Sequence, residues 1–261
     1  HVPYSWLPSG KRYRATPDLP GSTSERWQAD EWAPIQAYQR ALLQIGFVDS
    51  LFGQLIKGLK DKGLYDQAYI IIAADHGASF RTNDFRRALS DTNYQDILRV
   101  PFFVKKPYQT TGYVNDRNVE TIDIVPTIAN ALGVSVPWPV DGRSITDAGQ
   151  DRPQKTYFAR TMASNHTRLS FPASFAGSRD WPGLERKLKL LGSGHTTPPG
   201  GYPIGSHAGL IGLPVSQFSI EKAPGLAVRL DTPEAYTRVD LRATVLPVYV
   251  SGHLRSRTVQ I

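Results

Sequence analysis

The residues best suited to chemistry are three in a row, Asp75-His76-Gly77. A carboxylate beside an imidazole can hold a divalent cation. The imidazole also titrates near neutral pH, so it can take or give a proton. The triplet follows an uninterrupted apolar run, Ala68-Tyr69-Ile70-Ile71-Ile72-Ala73-Ala74. A strand buried on both faces reads this way, as in a parallel sheet flanked by helices. In open α/β sheets, ligands bind beyond the carboxyl ends of the strands, and Asp75 and His76 fall at that place. Gly77 would let the chain turn sharply beside them. Taken alone, the tripeptide equally suits a strand-end turn in which Asp75 caps the next segment.

The elements that must position this triplet are legible on either side of it. Residues 1–30 are rich in Pro, Ser, Gly and charge and predict an ordered loop. From Trp32 to Lys62, apolar residues recur at steps of three and four (Tyr38, Ala41, Leu42, Ile45, Val48, Phe52, Leu55, Ile56, Leu59), which predicts one long helix with a single apolar stripe. Gly46 and Gly53 inside it mark a kink or a close approach, and Gly63 is placed to stop it. A second apolar strand is expected at Val100–Val104, and a short helix over 120–132 with Pro126 in its first turn and Gly133 at its end. Apolar strands alternating with helices predict an α/β fold. The character changes near residue 148. Beyond it stand a Ser/Gly/Pro-rich stretch (192–206), one helix around Trp181–Leu191, and short β-type runs at Leu226–Leu230, Ala235–Leu241, Val245–Val250 and Arg257–Ile261. Two regions are therefore expected, 1–148 and a mostly β region 149–261.

Composition narrows the partners. Of 261 residues, 40% are hydrophobic and 20% charged, which supports a packed core and excludes wholesale disorder. A formal net charge of +7 favours anionic partners such as sulfate or phosphate esters. Lys and Arg are scattered, with no basic stripe interleaved with aromatics, so nucleic acid is not an expected partner. The absence of cysteine excludes disulfides and thiolate metal sites. No apolar run approaches the roughly 20 residues needed to span a bilayer. Among the nearby cations, Arg81, Arg86, Arg87, Lys105 and Lys106 are placed to meet an oxyanion, with Arg86, Arg87 and Lys105 as the substrate-binding candidates. Of the later histidines only His207 is a candidate ligand; as a loop residue it is equally an ordinary surface group.

A series of short motifs then appears in order. It comprises Tyr38, Asp49 and Gly53 on the long helix, then Asp75-His76-Gly77, Arg99-Val100-Pro101, Asp123-Ile124-Val125-Pro126-Thr127-Ile128, Leu132-Gly133-Val134 and Pro139-Val140-Asp141-Gly142-Arg143-Ser144. Over residues 1–146 this series resembles sulfatases of the alkaline-phosphatase-like superfamily, most closely the membrane-anchored sulfatase-like proteins of bacteria. The opening His1-Val2-Pro3-Tyr4 resembles the family's His-x-Pro-aromatic segment.

The resemblance implies the carboxy-terminal half of an alkaline-phosphatase-like sandwich with an appended β-rich region. It implies Asp75 and His76 as metal ligands and His1 as a catalytic histidine that meets the sulfate or phosphoryl group or protonates the leaving oxygen. Tyr38, Asp49 and Arg99-Val100-Pro101 are implied to be scaffold. Ca²⁺ is the ion the family implies, while the softer imidazole suits Mn²⁺ or Zn²⁺. The substrate is implied to be an anionic ester on a glycan or lipid, and the location extracytoplasmic, anchored in a membrane by a segment outside this chain. The family's nucleophile and first carboxylate ligands precede the matching motifs, and no cysteine is present to become formylglycine. These residues are therefore expected to be a fragment, inactive without the missing N-terminal part of the same protein. Two alternatives stay open. One is a transferase of the same superfamily that moves a phospho-headgroup. The other is an inactive domain that binds an anionic glycan.

Overall fold

The structure is a computed structural model that describes residues 2–14, 21–147, 149, 152–159, 167–172, 202, 204, 207–222 and 225–256. In chain order its elements are β1 (Arg12–Tyr13), β2 (Ser22–Thr23), β3 (Arg26–Trp27), α1 (Trp32–Asp61), β4 (Ile70–Ala73), α2 (Tyr94–Leu98) and β5 (Phe102–Lys105). A 3₁₀ turn at Thr121–Asp123 leads into α3 (Ile124–Leu132), followed by β6 (Gln154–Ala159), β7 (Thr167–Pro172), β8 (Leu226–Leu230), β9 (Val245–Leu246) and β10 (Gly252–Ser256). Helices and strands are mixed along the chain, as an α/β fold requires.

The chain divides into two compact units. One comprises His1–Ser22, Ala29–Leu55 and Arg186–Ile261; the other comprises Thr23–Gln28 and Ile56–Glu185.

In the first unit, α1 begins where Asp30 Oδ1 accepts the Trp32 N–H at 2.9 Å, and Pro34 occupies its first turn, where no helical hydrogen bond is lost. Leu43 packs with Leu7 and Tyr13, and Trp6 stacks on Phe47 at 4.9 Å. Gly46 is a close approach: a Cβ there would lie 3.1 Å from the Pro8 ring, whereas one at Gly53 would meet nothing within 4 Å. Of the expected stripe only Ala41 is buried, while Ile45, Val48 and Leu55 are exposed; the buried face of α1 is formed instead by Ala33, Pro34, Ala37, Arg40, Ala41 and Leu43.

The C-terminal part of this unit departs from its expected strands. β8 has the expected bounds and pairs antiparallel with β10, Val228 opposite Leu254. The run at 245–250 shortens to β9, which pairs parallel with β1. Ala235–Leu241 is not a strand. Pro233 starts a 3₁₀ turn over Pro233–Tyr236, and the Tyr236 hydroxyl donates to the Tyr249 carbonyl at 2.7 Å. The expected helix at 181–191 and strand at 257–261 lie outside the described residues.

In the second unit, the apolar run before Asp75 is indeed a strand, but its surroundings differ from expectation. β4 pairs antiparallel with β5, Ile71 opposite Val104, and Ile70–Ile72 are half-buried while Ala73 is exposed. The pair forms a two-stranded sheet with no further partner among the described residues. Among the described residues neither strand has a second neighbour, in keeping with the half-buried state of Ile70–Ile72. α3 ends at Gly133, whose φ of 67° is the left-handed conformation that a C-cap glycine supplies. β6 and β7 form an antiparallel hairpin. No helix of the described residues is long and apolar enough to cross a membrane.

Candidate functional site

Asp75 and His76 stand just beyond the end of β4, held by the residue that follows them. The Gly77 N–H donates to the Ile97 carbonyl at 2.8 Å. A Cβ on Gly77 would lie 2.0 Å from the Asp96 carbonyl oxygen. Glycine is thus needed for close approach to α2, not for the positive φ that a sharp turn suggests, since Gly77 has none. The seat for this loop is polar and dense. Asp96 is buried and accepts Arg81 Nε at 2.7 Å and Ser79 Oγ at 3.5 Å. Asn93, fully buried, donates to the carbonyls of Phe85 and Ala88 and to Asp84. Trp27, also buried, donates its indole N–H to the Ser79 carbonyl at 2.8 Å. Each buried polar group named here has its partner, as a rigid loop requires.

The two side chains converge. His76 Nδ1 lies 2.7 Å from the Gly77 carbonyl, an acceptor, so Nδ1 is the donor of that bond and Nε2 is the ring nitrogen left to face Asp75. Nε2 is 3.7 Å from Asp75 Oδ2. Asp75 Oδ1 meanwhile accepts the His76 backbone N–H at 2.9 Å. That N–H, and next the neighbouring imidazole, hold the Asp75 carboxyl below the usual carboxylate range, so it is ionised at neutral pH. The side chains are 88% and 42% exposed, so both are open to a ligand. A cation about 2.0–2.2 Å from each donor atom can bridge donors up to about 4.3 Å apart. The pair therefore fits two positions of a coordination sphere. Among the described residues no group of three or more His, Asp or Glu side chains gathers to complete one.

Asp75 and His76 line a cavity of about 740 Å³ that also meets Arg117, Glu120, Lys155 and Tyr157. Arg117 is engaged with the carbonyls of Ile145, Asp147 and Gly149. Lys155 Nζ donates to the Val119 carbonyl at 2.7 Å, and burial pushes its pKa down. Glu120 lies 3.6 Å from Arg152, and one of its carboxylate oxygens is buried without a hydrogen-bond partner.

The other sequence candidates lie elsewhere. Arg86 is buried in an ion pair with Glu25 at 2.5 Å, and Arg87 lies 3.4 Å from the same carboxylate. Lys105 donates to the carbonyls of Asp66, Ala68 and Lys106 and sits over the Tyr65 ring at 4.7 Å. None of the three lines the cavity. Each of these cations meets carboxylate or carbonyl oxygens within its own unit. Arg81 is held by Asp96. His207 is exposed. His1 lies outside the described residues. Lys155 and Glu120 escaped the sequence reading because they belong to no motif; Lys155 comes from β6, beyond the motif series.

Residues 7–134 match the family model described as Sulfatase. Among similar proteins, an endo-4-O-sulfatase of Bacteroides thetaiotaomicron is 35% identical over 102 residues, 37% of this chain and 19% of that protein. Lipoteichoic acid synthase of Staphylococcus aureus is 31% identical over 94 residues, 34% of this chain and 14% of that protein. The phosphonate monoester hydrolase SpPMH from Silicibacter pomeroyi superposes with a TM-score of 0.44 at 22% identity, covering 59% of this chain and 40% of that one. The matched stretch is thus about a fifth or less of the length of these two sequence relatives.

Proposed function

We propose that this chain, whose residues 7–134 match the Sulfatase family model, is of the sulfatase type and forms the Asp-His half of a metal-assisted ester hydrolase site. The observation that carries this is the convergence of Asp75 Oδ2 and His76 Nε2, 3.7 Å apart, on the lining of the cavity. Asp75 supplies a full negative charge. His76 supplies the ring nitrogen Nε2, whose direction is set by the bond from Nδ1 to Gly77, the arrangement metal-binding imidazoles use. When bound, a divalent ion would draw charge from the non-bridging oxygens of a sulfate or phosphate ester. The chain's own residues orient that site: Gly77 seats the loop, and Asp96 and Asn93 keep it from moving. The remaining ligands and the nucleophile come from groups other than those described. The substrate is an anionic ester, in keeping with the sulfatase relatives and the net positive charge.

The experiment is a titration with Mn²⁺ followed by electron paramagnetic resonance, beside hydrolysis of aryl sulfate, phosphate diester and phosphonate esters. Asp75→Asn and His76→Ala are each expected to weaken Mn²⁺ binding at least tenfold. Unchanged Mn²⁺ affinity in both variants overturns the assignment. The similarity to lipoteichoic acid synthase favours a second reading, transfer of a phospho-headgroup to an alcohol. Product analysis separates the two: release of free sulfate or phosphate supports hydrolysis, and headgroup appearing on an added alcohol acceptor supports transfer.

A further inference from the structure

We propose that Lys155, supplied by β6 from beyond the family-matched residues 7–134, is a positioning residue for the anionic group of the ester, facing the same cavity as Asp75 and His76. The proposal rests on the cavity being the substrate site.

Three observations carry it. Lys155 lines the cavity, whereas Arg86, Arg87 and Lys105 do not. Of the two arginines that also line the cavity, Arg99 and Arg117, Arg117 already gives its guanidinium to three backbone carbonyls. Among the described residues the Lys155 ammonium donates one hydrogen bond, to Val119 O, and an ammonium carries three donors, so capacity remains for an incoming oxygen. Its placement is fixed at both ends of the strand start. Arg152, three residues earlier, holds Asp123 through two hydrogen bonds at 2.8 and 2.6 Å. Asn118 Nδ2 donates to the carbonyls of Arg152 and Gln154 at 2.9 and 3.3 Å. A lysine so anchored loses less freedom on meeting an anion than one on a free loop. Its counter-charge, Glu120, also lines the cavity and is already within 3.6 Å of Arg152, so Lys155 need not be spent on neutralising it. The chemistry suited to this group is a point-charge contact to a sulfate or phosphoryl oxygen in the cavity that Asp75 and His76 also line.

The test uses inorganic sulfate and inorganic phosphate as probes, titrated calorimetrically into the purified protein with Mn²⁺ present. Lys155→Met is expected to weaken anion affinity about tenfold or more, the loss of one charge-assisted hydrogen bond. Lys155→Arg is expected to restore most of it, and Lys106→Met, off the cavity, to leave it unchanged. With a turned-over ester, Lys155→Met is expected to raise KM more than it lowers kcat. Wild-type anion affinity in Lys155→Met, or no anion binding by the unaltered protein, overturns the proposal. Mn²⁺ binding, read separately, reports on Asp75 and His76, so an unaltered protein that binds Mn²⁺ but no anion overturns the Lys155 proposal and leaves the Asp75–His76 reading standing.

Discussion

Arg152 grips Asp123 with two hydrogen bonds, Nη1 to Oδ2 at 2.8 Å and Nη2 to Oδ1 at 2.6 Å, a fork that joins the start of β6 to the 3₁₀ turn before α3. Asp123 is 2% exposed and also accepts the backbone N–H groups of Glu120 and Arg143 at 2.9 Å each. The carboxylate therefore ties together three separate segments around one wall of the cavity.

Replacing Asp123 with Ala is expected to destabilise the protein by about 3–5 kcal/mol, because Arg152 and two N–H donors lose their acceptor in a buried place. Chemical denaturation of Asp123→Ala checks this; a loss under about 1 kcal/mol would contradict the buried fork.

The same carboxylate sets a pH dependence. Burial opposes its charge, but the Arg152 guanidinium and the two backbone N–H groups outweigh burial and hold its pKa below the usual carboxylate value. A depressed folded pKa means the stabilisation is complete above the unfolded value of about 3.9 and is lost as pH falls through the folded one. Urea midpoints are expected to fall on acidification below about pH 4, and Asp123→Asn is expected to flatten that fall. An equal slope in both proteins removes Asp123 as the source.

Gly77→Ala is a test of how the site is seated. The added Cβ would lie 2.0 Å from the Asp96 carbonyl oxygen, so the loop must move away from α2. The expected cost is about 1–3 kcal/mol in stability, typical of forced overpacking. Mn²⁺ affinity is expected to fall with it, because Asp75 and His76 precede the displaced residue. Retained stability and retained Mn²⁺ binding together would mean the approach is looser than the geometry indicates.

Arg86 separates a structural cation from a substrate-binding one. Arg86→Ala leaves a half-exposed Glu25 that water and Arg87 can still serve, so a loss of about 1–2 kcal/mol is expected. Anion affinity is expected to stay at the wild-type level. A selective loss of sulfate or phosphate binding without loss of stability would restore Arg86 to the site.

Arg40 offers an independent check in the other unit. It is 3% exposed, lies over the Tyr249 ring at 5.2 Å, donates from Nη2 to the Pro3 carbonyl, and leaves Nε and Nη1 without hydrogen-bond partners among the described residues. A buried charge so poorly satisfied contributes little, so Arg40→Met is expected to fall within about 1 kcal/mol of wild type or above it. A larger loss in thermal or urea unfolding would show that the cation and Tyr249 hold the unit together.

What could be read from sequence was what near neighbours decide. The period of three and four foretold α1 to within a residue of its bounds, the apolar run foretold β4, and Gly133 foretold the end of α3, because each depends on residues within a turn or two. Asp75 and His76 were legible for the same reason: adjacency in the chain guarantees adjacency in space, and a strand end exposes both. Tertiary structure alone decided that β4 would run antiparallel to β5, that Glu25 would capture Arg86 across 61 residues, and that Lys155 would reach Val119 across 36. Charges choose partners by distance in the folded chain, and Coulomb attraction carries no trace of sequence separation. The free cations of the motif region were therefore consumed by carboxylates and carbonyls, and the cavity took its lysine from a strand that no motif announced.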